Sequence, residues 1–310
     1  MILTVTPHSA LDKVLFIDEL MPGNVHRTEA IYTSVGGKGL DSSVTLSCLG
    51  VDTVGLVFVA GKTGQELIQL VANFGIIPEP VWVDGETRIA HVISETKVGR
   101  HSHIISGKVL INQEQLDEFF RRLRSLAQDA SWVICAGSIP PVLSNSIYRE
   151  ITEAVTQFDV PVLIDSSRSP IIEAIPARPA VIKMNWTEFE ATFNIKAPTL
   201  DELNQKALQV YEEWELKSLV LTCSSQGILA YSEEGSYHTV VPKLKAVNAA
   251  GAGDAVSSAL AWRFSEGDRW QKALRWAGAI SAAVVLTKGT AECRMEDVED
   301  LLYKVRVNPI

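Results

Sequence analysis

The run Asn248-Ala249-Ala250-Gly251-Ala252-Gly253-Asp254-Ala255 sets two glycines and a carboxylate just ahead of an apolar, helix-like stretch from Ala255 to Phe264. Glycine leaves backbone N–H groups uncovered, and a helix N-terminus adds partial positive charge. Gly251, Ala252 and Gly253 can therefore cradle an anion such as a phosphoryl group. A carboxylate fixed beside that cradle, Asp254, can take the proton of an alcohol attacking phosphorus. Read locally, the same residues also suit a glycine turn with an acidic helix cap.

A second glycine cluster, Gly36-Gly37-Lys38-Gly39, lies between the polar alternation of Arg27 to Ser34 and the helix-like Leu40 to Leu49. Its glycines let a ligand approach the backbone, and Lys38 brings a mobile cation to it; a flexible basic turn is the plainer reading. Asp12 follows the opening apolar strand and suits either a turn or a hydroxyl acceptor with several lone pairs. Arg88, in Thr87-Arg88-Ile89, is either a solvated strand residue or a bidentate phosphate contact. Lys183, Asn185 and Glu188 sit just past an interior strand, where parallel sheets bind ligands, although Trp186-Thr187-Glu188 would also start an ordinary helix.

Positioning these residues requires a scaffold, and the patterning supplies one. Short apolar runs (Val54–Val59, Trp132–Ala136, Val160–Ile164, Ala180–Lys183, Leu219–Thr222, Gly227–Ser232) alternate with amphipathic ones (Gly64–Phe74, Gln113–Ala127, Ser144–Gln157, Leu200–Trp214). Such alternation predicts a parallel sheet covered on both faces, with helices dominating from Ala255 onward. Val14–Ser34 and Val81–His103 break the rhythm with polar–apolar alternation and read as half-exposed strands.

Taken together and in this order, the segments resemble the PfkB/ribokinase family of sugar kinases. Besides both glycine clusters, the match rests on Met1–Thr6, Ser9-Ala10-Leu11-Asp12, Thr87-Arg88-Ile89, Ala136-Gly137-Ser138-Ile139-Pro140-Pro141 and Lys183-Met184-Asn185-Trp186-Thr187-Glu188. The branch holding 1-phosphofructokinases and tagatose-6-phosphate kinases is the nearest. The resemblance implies a single domain over residues 1–310: an α/β, ribokinase-like three-layer α/β/α core with a mainly parallel sheet. A small β-sheet lid at about 13–34 and 81–106 would cover it. It implies ATP-dependent transfer to a hydroxyl of a sugar phosphate. The alternatives are a kinase of an unphosphorylated sugar or nucleoside, or a catalytically silent sugar-binding protein.

By the same resemblance, Asp254 is the base, and Gly251, Ala252 and Gly253 neutralise the transferring group. Asp12 binds sugar hydroxyls, Lys38 and Arg88 hold a phosphate already on the sugar, and Gly36, Gly37, Asp41 and Ser138 complete that site. Arg27 reaches a neighbouring subunit's site. Lys183, Asn185, Thr222, Ser224 and Gly227 serve ATP, and Glu188 serves Mg²⁺, usually through water. The lid also commonly makes a homodimer contact, with Ile17, Leu20, Ile31, Ile89 and Ile93 as candidates.

Several positions depart from the family pattern: Asp41 for Asn, Val44 for Arg, Ala90 for Asn, Met184 for Pro and Ser224 for Gly. Asp41 matters most, because a carboxylate repels a substrate phosphate unless it is protonated, paired with Lys38 or Arg88, or turned away.

Composition bounds the rest. A net charge of −9 argues against nucleic acid or an anionic membrane as the main partner. Cys48, Cys135, Cys223 and Cys293 are widely spaced with no CxxC pair and read as thiols of a reducing compartment. The opening lacks a basic n-region, and apolar runs are too short to span a bilayer, so a cytoplasmic protein is expected. Gly61-Lys62-Thr63 lacks the upstream glycine of a phosphate loop, and Val256 stands where a dinucleotide fingerprint needs its third glycine. His101-Ser102-His103 has no third metal ligand in view.

Overall fold

The computed structural model describes residues 1–28 and 31–310, and the side chains of His101 and His103 fall outside that description. Its centre is a ten-stranded sheet. From one edge the strands are Arg306–Pro309, Gly235–Val240, Ile228–Ser232, Ser218–Thr222, Val181–Asn185, Val162–Asp165, Trp132–Ala136, Ile2–Thr6, Thr53–Val59 and Ile77–Trp82. Pairing is parallel from Ile77–Trp82 across to Ser218–Thr222, then antiparallel to the Arg306–Pro309 edge.

Side chains alternate across these strands, and each set meets its own helices. Leu3, Val5, Val133, Cys135, Leu219 and Leu221 join one core with Phe119, Ile151 and Leu203. Ile2, Ile134, Ala136, Leu163 and Val220 join the opposite core with Leu46, Val256, Leu260 and Ile280. Helices on both faces of one sheet make the expected three layers. Helices Lys38–Cys48 and Ala252–Ser265, which carry the two glycine clusters at their N-termini, lie against each other on one face.

A separate four-stranded sheet has the order Ile31–Gly36, Ala10–Ile17, Arg88–Glu95, Arg100–Ser106. Its register aligns Asp12 with Ser34 and Ala90, and Ala90 with Ile105, so these residues share one face. The boundaries differ from expectation. Ile77–Trp82 pairs with Thr53–Val59, so residues 81–82 close the edge of the large sheet, and the small sheet begins at Ala10 and resumes at Arg88. Gly235–Val240 and Arg306–Pro309 were not foreseen as strands. Both are short and lie at the antiparallel end, where half-exposed strands carry a weak apolar signal. No helix among the described residues is long and apolar enough to cross a membrane.

Candidate active site

Two clefts open along the carboxyl ends of the parallel strands, where open α/β sheets bind ligands. The first, of about 690 Å³, lies under the small sheet and is lined by Asp12, Gly37, Lys38, Asp41, Arg88, Ser138 and Glu188 among others. The second, of about 780 Å³, runs along the antiparallel end and is lined by Asn185, Thr222, Ser224, Gly227, Ala252 and Gly253 among others. Thr187 belongs to both.

Helix Ala252–Ser265 begins at the wall of the second cleft, which its first two residues line. Gly251 precedes it at φ 83°, and a Cβ there would lie 2.4 Å from the Ala291 nitrogen, so only glycine fits the turn. Asp254 lies in the first helical turn, is only 8% exposed and lines neither cleft. Burial, reinforced by Asp165, raises its pKa to about 7 against the pull of Lys183 and Lys38. A base poised there can take a proton at neutral pH.

Beneath the cradle lies a charge network the sequence did not announce. Asp165, fully buried at the end of its strand, accepts from Lys38 Nζ at 3.0 Å, Lys183 Nζ at 2.6 Å and Ser257 Oγ at 2.9 Å. Lys38 also reaches Glu188 Oε1 at 2.8 Å. Burial opposes the charges, but the mutual attraction outweighs it: the Asp165 pKa is lowered and the Lys38 pKa raised. A carboxylate at the carboxyl end of the apolar Val160–Ile164 run was the available signal for Asp165. Lys183, expected at the nucleotide, lines neither cleft: its side chain is 2% exposed and paired to Asp165.

On the small-sheet side, Gly36 has its own steric reason. A Cβ there would sit 2.2 Å from Asp12 Oδ1, so the glycine makes room for the carboxylate. Burial raises the Asp12 pKa to about 6, with Arg88 opposing. Arg88 borders the cleft while its Nε and Nη2 donate to the Ser9 and His8 carbonyl oxygens at 3.2 and 2.8 Å. Ser138 Oγ lies 3.1 Å from His8 Nδ1.

Asp41 lines the same cleft, and its Oδ1 is buried with no hydrogen-bond partner. The pairing with Lys38 or Arg88 that sequence reasoning entertained is not formed: no salt bridge to Asp41 occurs among the described residues, and the Lys38 ammonium is held by Asp165 and Glu188. Burial, with Asp254 and Asp12 nearby, raises the Asp41 pKa well above the carboxylate range. The raised pKa and the unpartnered Oδ1 both favour the protonated form, which does not repel a phosphate.

Arg27 is exposed and lines neither cleft. Arg168 does line the first, a cation that sequence reasoning did not single out; its backbone is held at φ 61°. In the second cleft Lys243 was likewise missed. Asn185 and Glu188 form a reciprocal helix cap, Asn185 Oδ1 accepting from Glu188 N at 2.8 Å and Glu188 Oε2 from Asn185 N at 2.9 Å. The helix-start reading thus holds, and both residues still border a cleft.

A glycine turn opening a helix, a buried carboxylate in its first turn and two clefts of small-molecule size on a three-layer α/β/α core are the arrangement expected of a phosphotransferase acting on an alcohol. The pfkB family carbohydrate kinase model matches residues 8–297, and the chain belongs to that family. It is 27% identical to 1-phosphofructokinase of Borreliella burgdorferi, covering 100% of this chain and 99% of that protein. It is 26% identical to D-tagatose-1-phosphate kinase of Bacillus licheniformis, over 94% and 95% of the two chains. Among solved structures it superposes on a possible 1-phosphofructokinase from Thermotoga maritima with a TM-score of 0.89 at 23% identity, covering 100% and 99% of the two chains.

Proposed function

We propose that this chain transfers the γ-phosphoryl group of ATP to a hydroxyl of a sugar phosphate, of the kind its curated relatives are named for. One observation carries the reading: cations and hydroxyl acceptors share the small-sheet cleft, while the other cleft is lined by apolar and neutral polar residues with the single cation Lys243 among the described residues. Asp12 and Asp41 hydrogen-bond sugar hydroxyls. Lys38, Arg88 and Arg168 face the phosphate already present. Asp254 takes the proton of the attacking hydroxyl, and the N–H groups at Gly251, Ala252 and Gly253 meet the charge on the transferring group. Asn185, Thr222, Ser224 and Gly227 receive the nucleotide.

Mg²⁺ fits this site as an ion carried by the nucleotide. No cluster of three or more metal-ligating side chains exists among the described residues, and the Glu188 carboxylate is shared between Lys38 and a helix cap. An ion that keeps its water and takes most of its ligands from phosphates matches that donor set. Bound there, it would supply charge neutralisation on the nucleotide phosphates, with Glu188 reaching it through water.

A kinase of an unphosphorylated sugar remains as the second reading, favoured by the ties Arg88 and Lys38 already make within the protein. A coupled ADP-release assay across sugar phosphates, sugars and nucleosides, with ATP and Mg²⁺, separates them. Turnover on a ketose phosphate and none on its parent sugar is expected; the reverse overturns the assignment. The small sheet also presents Phe16, Ile31 and Ile104, each at least half exposed, which supports a homodimer through the lid. Light scattering at micromolar concentration tests it, and a monomer would count against it.

A further inference from the structure

Arg168 stands at φ 61° and ψ −146°, a backbone conformation open in practice only to glycine. A residue with a side chain keeps such a conformation only where its surroundings over-determine it. Here hydrogen bonds on both sides do so. The Arg168 N–H donates to Thr192 Oγ1 at 2.7 Å, and the Arg168 carbonyl accepts from the N–H groups of Ile171 and Ile172 at 3.0 and 3.2 Å. Thr192 is itself fixed, its hydroxyl donating to the Glu188 carbonyl at 2.6 Å. The strain is therefore built into the turn that follows strand Val162–Asp165, and that turn borders the first cleft. Glycine would take the same turn without strain, so the turn alone does not account for an arginine.

The arginine supplies a free cation. Of the other cations lining that cleft, Lys38 is held by Asp165 and Glu188, and Arg88 is tied through Nε and Nη2 to the Ser9 and His8 carbonyls. The Arg168 side chain is exposed and makes no hydrogen bond or ion pair among the described residues. Its place is also defined. Strands Ile2–Thr6, Trp132–Ala136 and Val162–Asp165 are neighbours in the large sheet. The carbonyls that hold Arg88 follow the first, Ser138 follows the second and Arg168 follows the third. The last two turns are locked together: Gly137 N donates to the Asp165 carbonyl at 3.0 Å, and Ser166 Oγ donates to the Gly137 carbonyl at 2.8 Å. Arg168 thus flanks Ser138 from the core, on the side away from Arg88, with two strand spacings, about 10 Å, between the outer strands.

We infer that Arg168 is the residue that makes this cleft select a phosphorylated acceptor over its parent sugar, its strained backbone holding an uncommitted guanidinium out to the acceptor's phosphate. The inference rests on the function proposed above and names the side chain that decides it. A guanidinium suits the task because its planar fork meets two phosphate oxygens at once. A parent sugar offers no anion to that fork and gains nothing from it.

The test compares the full-length wild type with Arg168→Gly, Arg168→Ala and Arg168→Lys, using a ketose phosphate as acceptor and the KM for ATP as internal reference. Arg168→Gly should raise Tm, because glycine takes a φ of 61° freely. It should also raise the KM for the ketose phosphate at least about tenfold, the scale of one lost charge-assisted contact. Arg168→Ala should lose the same affinity with no gain in Tm, which separates the charge from the backbone. Arg168→Lys should recover part of the affinity. An unchanged KM for the ketose phosphate in Arg168→Gly overturns the inference and leaves the proposed function standing. So does a loss confined to kcat, which would set Arg168 at the transferring group, or a fall in Tm in Arg168→Gly, which would give the arginine to the fold. Wild-type turnover of parent sugars alone overturns both.

Discussion

The two clefts that meet at Thr187 are built from different materials. The one under the small sheet is lined by Asp12, Lys38, Asp41, Arg88, Arg168 and Glu188, all ionisable. Of the described residues lining the other, Lys243 alone is charged, and the rest are small, apolar or neutral polar. One side presents charged side chains; the other presents almost none. If the first cleft takes the acceptor and the second the nucleotide, as proposed, substitutions that alter charge should act on the acceptor, while the nucleotide should tolerate side-chain changes that preserve the turns of its cleft.

The largest effect should come from beneath both clefts. Asp165→Asn leaves the Lys38 and Lys183 ammoniums without their shared carboxylate, and losing one partner of a buried ion pair costs about 3–5 kcal/mol. Urea unfolding measures this; a change under about 1 kcal/mol would mean that the network is not structural.

Next comes the base. Asp254→Asn should keep the fold and nucleotide binding but lower kcat at least about 10²-fold. In the wild type, kcat/KM should rise through about pH 7 as the raised Asp254 pKa is passed and the carboxylate forms, and that limb should vanish in the variant. Near-normal turnover in a folded Asp254→Asn protein would remove Asp254 from the chemistry.

Arg88→Ala should weaken a sugar phosphate by about 2 kcal/mol, the scale of a lost charge-assisted contact, and its parent sugar far less. Equal losses would assign Arg88 to holding the His8 and Ser9 carbonyls alone.

A smaller effect is expected at Asp41. Because its pKa is raised, Asp41 keeps its proton to a higher pH than an ordinary aspartate and gains its charge only as pH rises through the folded value. Wild-type affinity for a sugar phosphate should therefore weaken as pH rises through that value relative to Asp41→Asn, the two agreeing to within about 0.5 kcal/mol on the acid side of it. Parallel pH profiles of Kd would show that Asp41 does not carry this proton.

Smallest of all should be Ser224→Gly on the nucleotide side. Ser224 stands at φ 51°, the left-handed conformation that glycine adopts freely. The change should stabilise by at most about 1 kcal/mol and leave the KM for ATP unaltered; a large KM shift would give the Ser224 side chain a role that a backbone-built cleft does not need.

The same contrast decides what the sequence made legible. Glycine constraints are local, so the Gly36–Gly39 and Gly251–Gly253 turns could be read from a few residues, and strand–helix alternation gave the three layers. The charge network could not be read this way. Asp165, Lys38, Lys183 and Ser257 converge from four distant elements, and only the folded sheet brings them within hydrogen-bond range. For the same reason Lys183 looked available to a nucleotide, and nothing near Asp41 in the chain announced its raised pKa: each residue's ionisation belongs to its surroundings. Ser224 shows the converse case, a departure in residue type that leaves the backbone turn in place.

The place of strand Ile2–Thr6 sets terms for how the molecule is made. It lies inside the large sheet, hydrogen-bonded to Thr53–Val59 on one side and Trp132–Ala136 on the other. On the ribosome it emerges long before either neighbour, and at about 5–20 residues per second the second arrives several seconds later. Through that interval Ile2, Leu3 and Val5, all buried in the finished protein, stay in water beside unpaired backbone. Pairing across so much chain is slow to form and exposes the nascent strand to aggregation. Yield in a cell should respond to holdase chaperones and to slower translation ahead of Trp132.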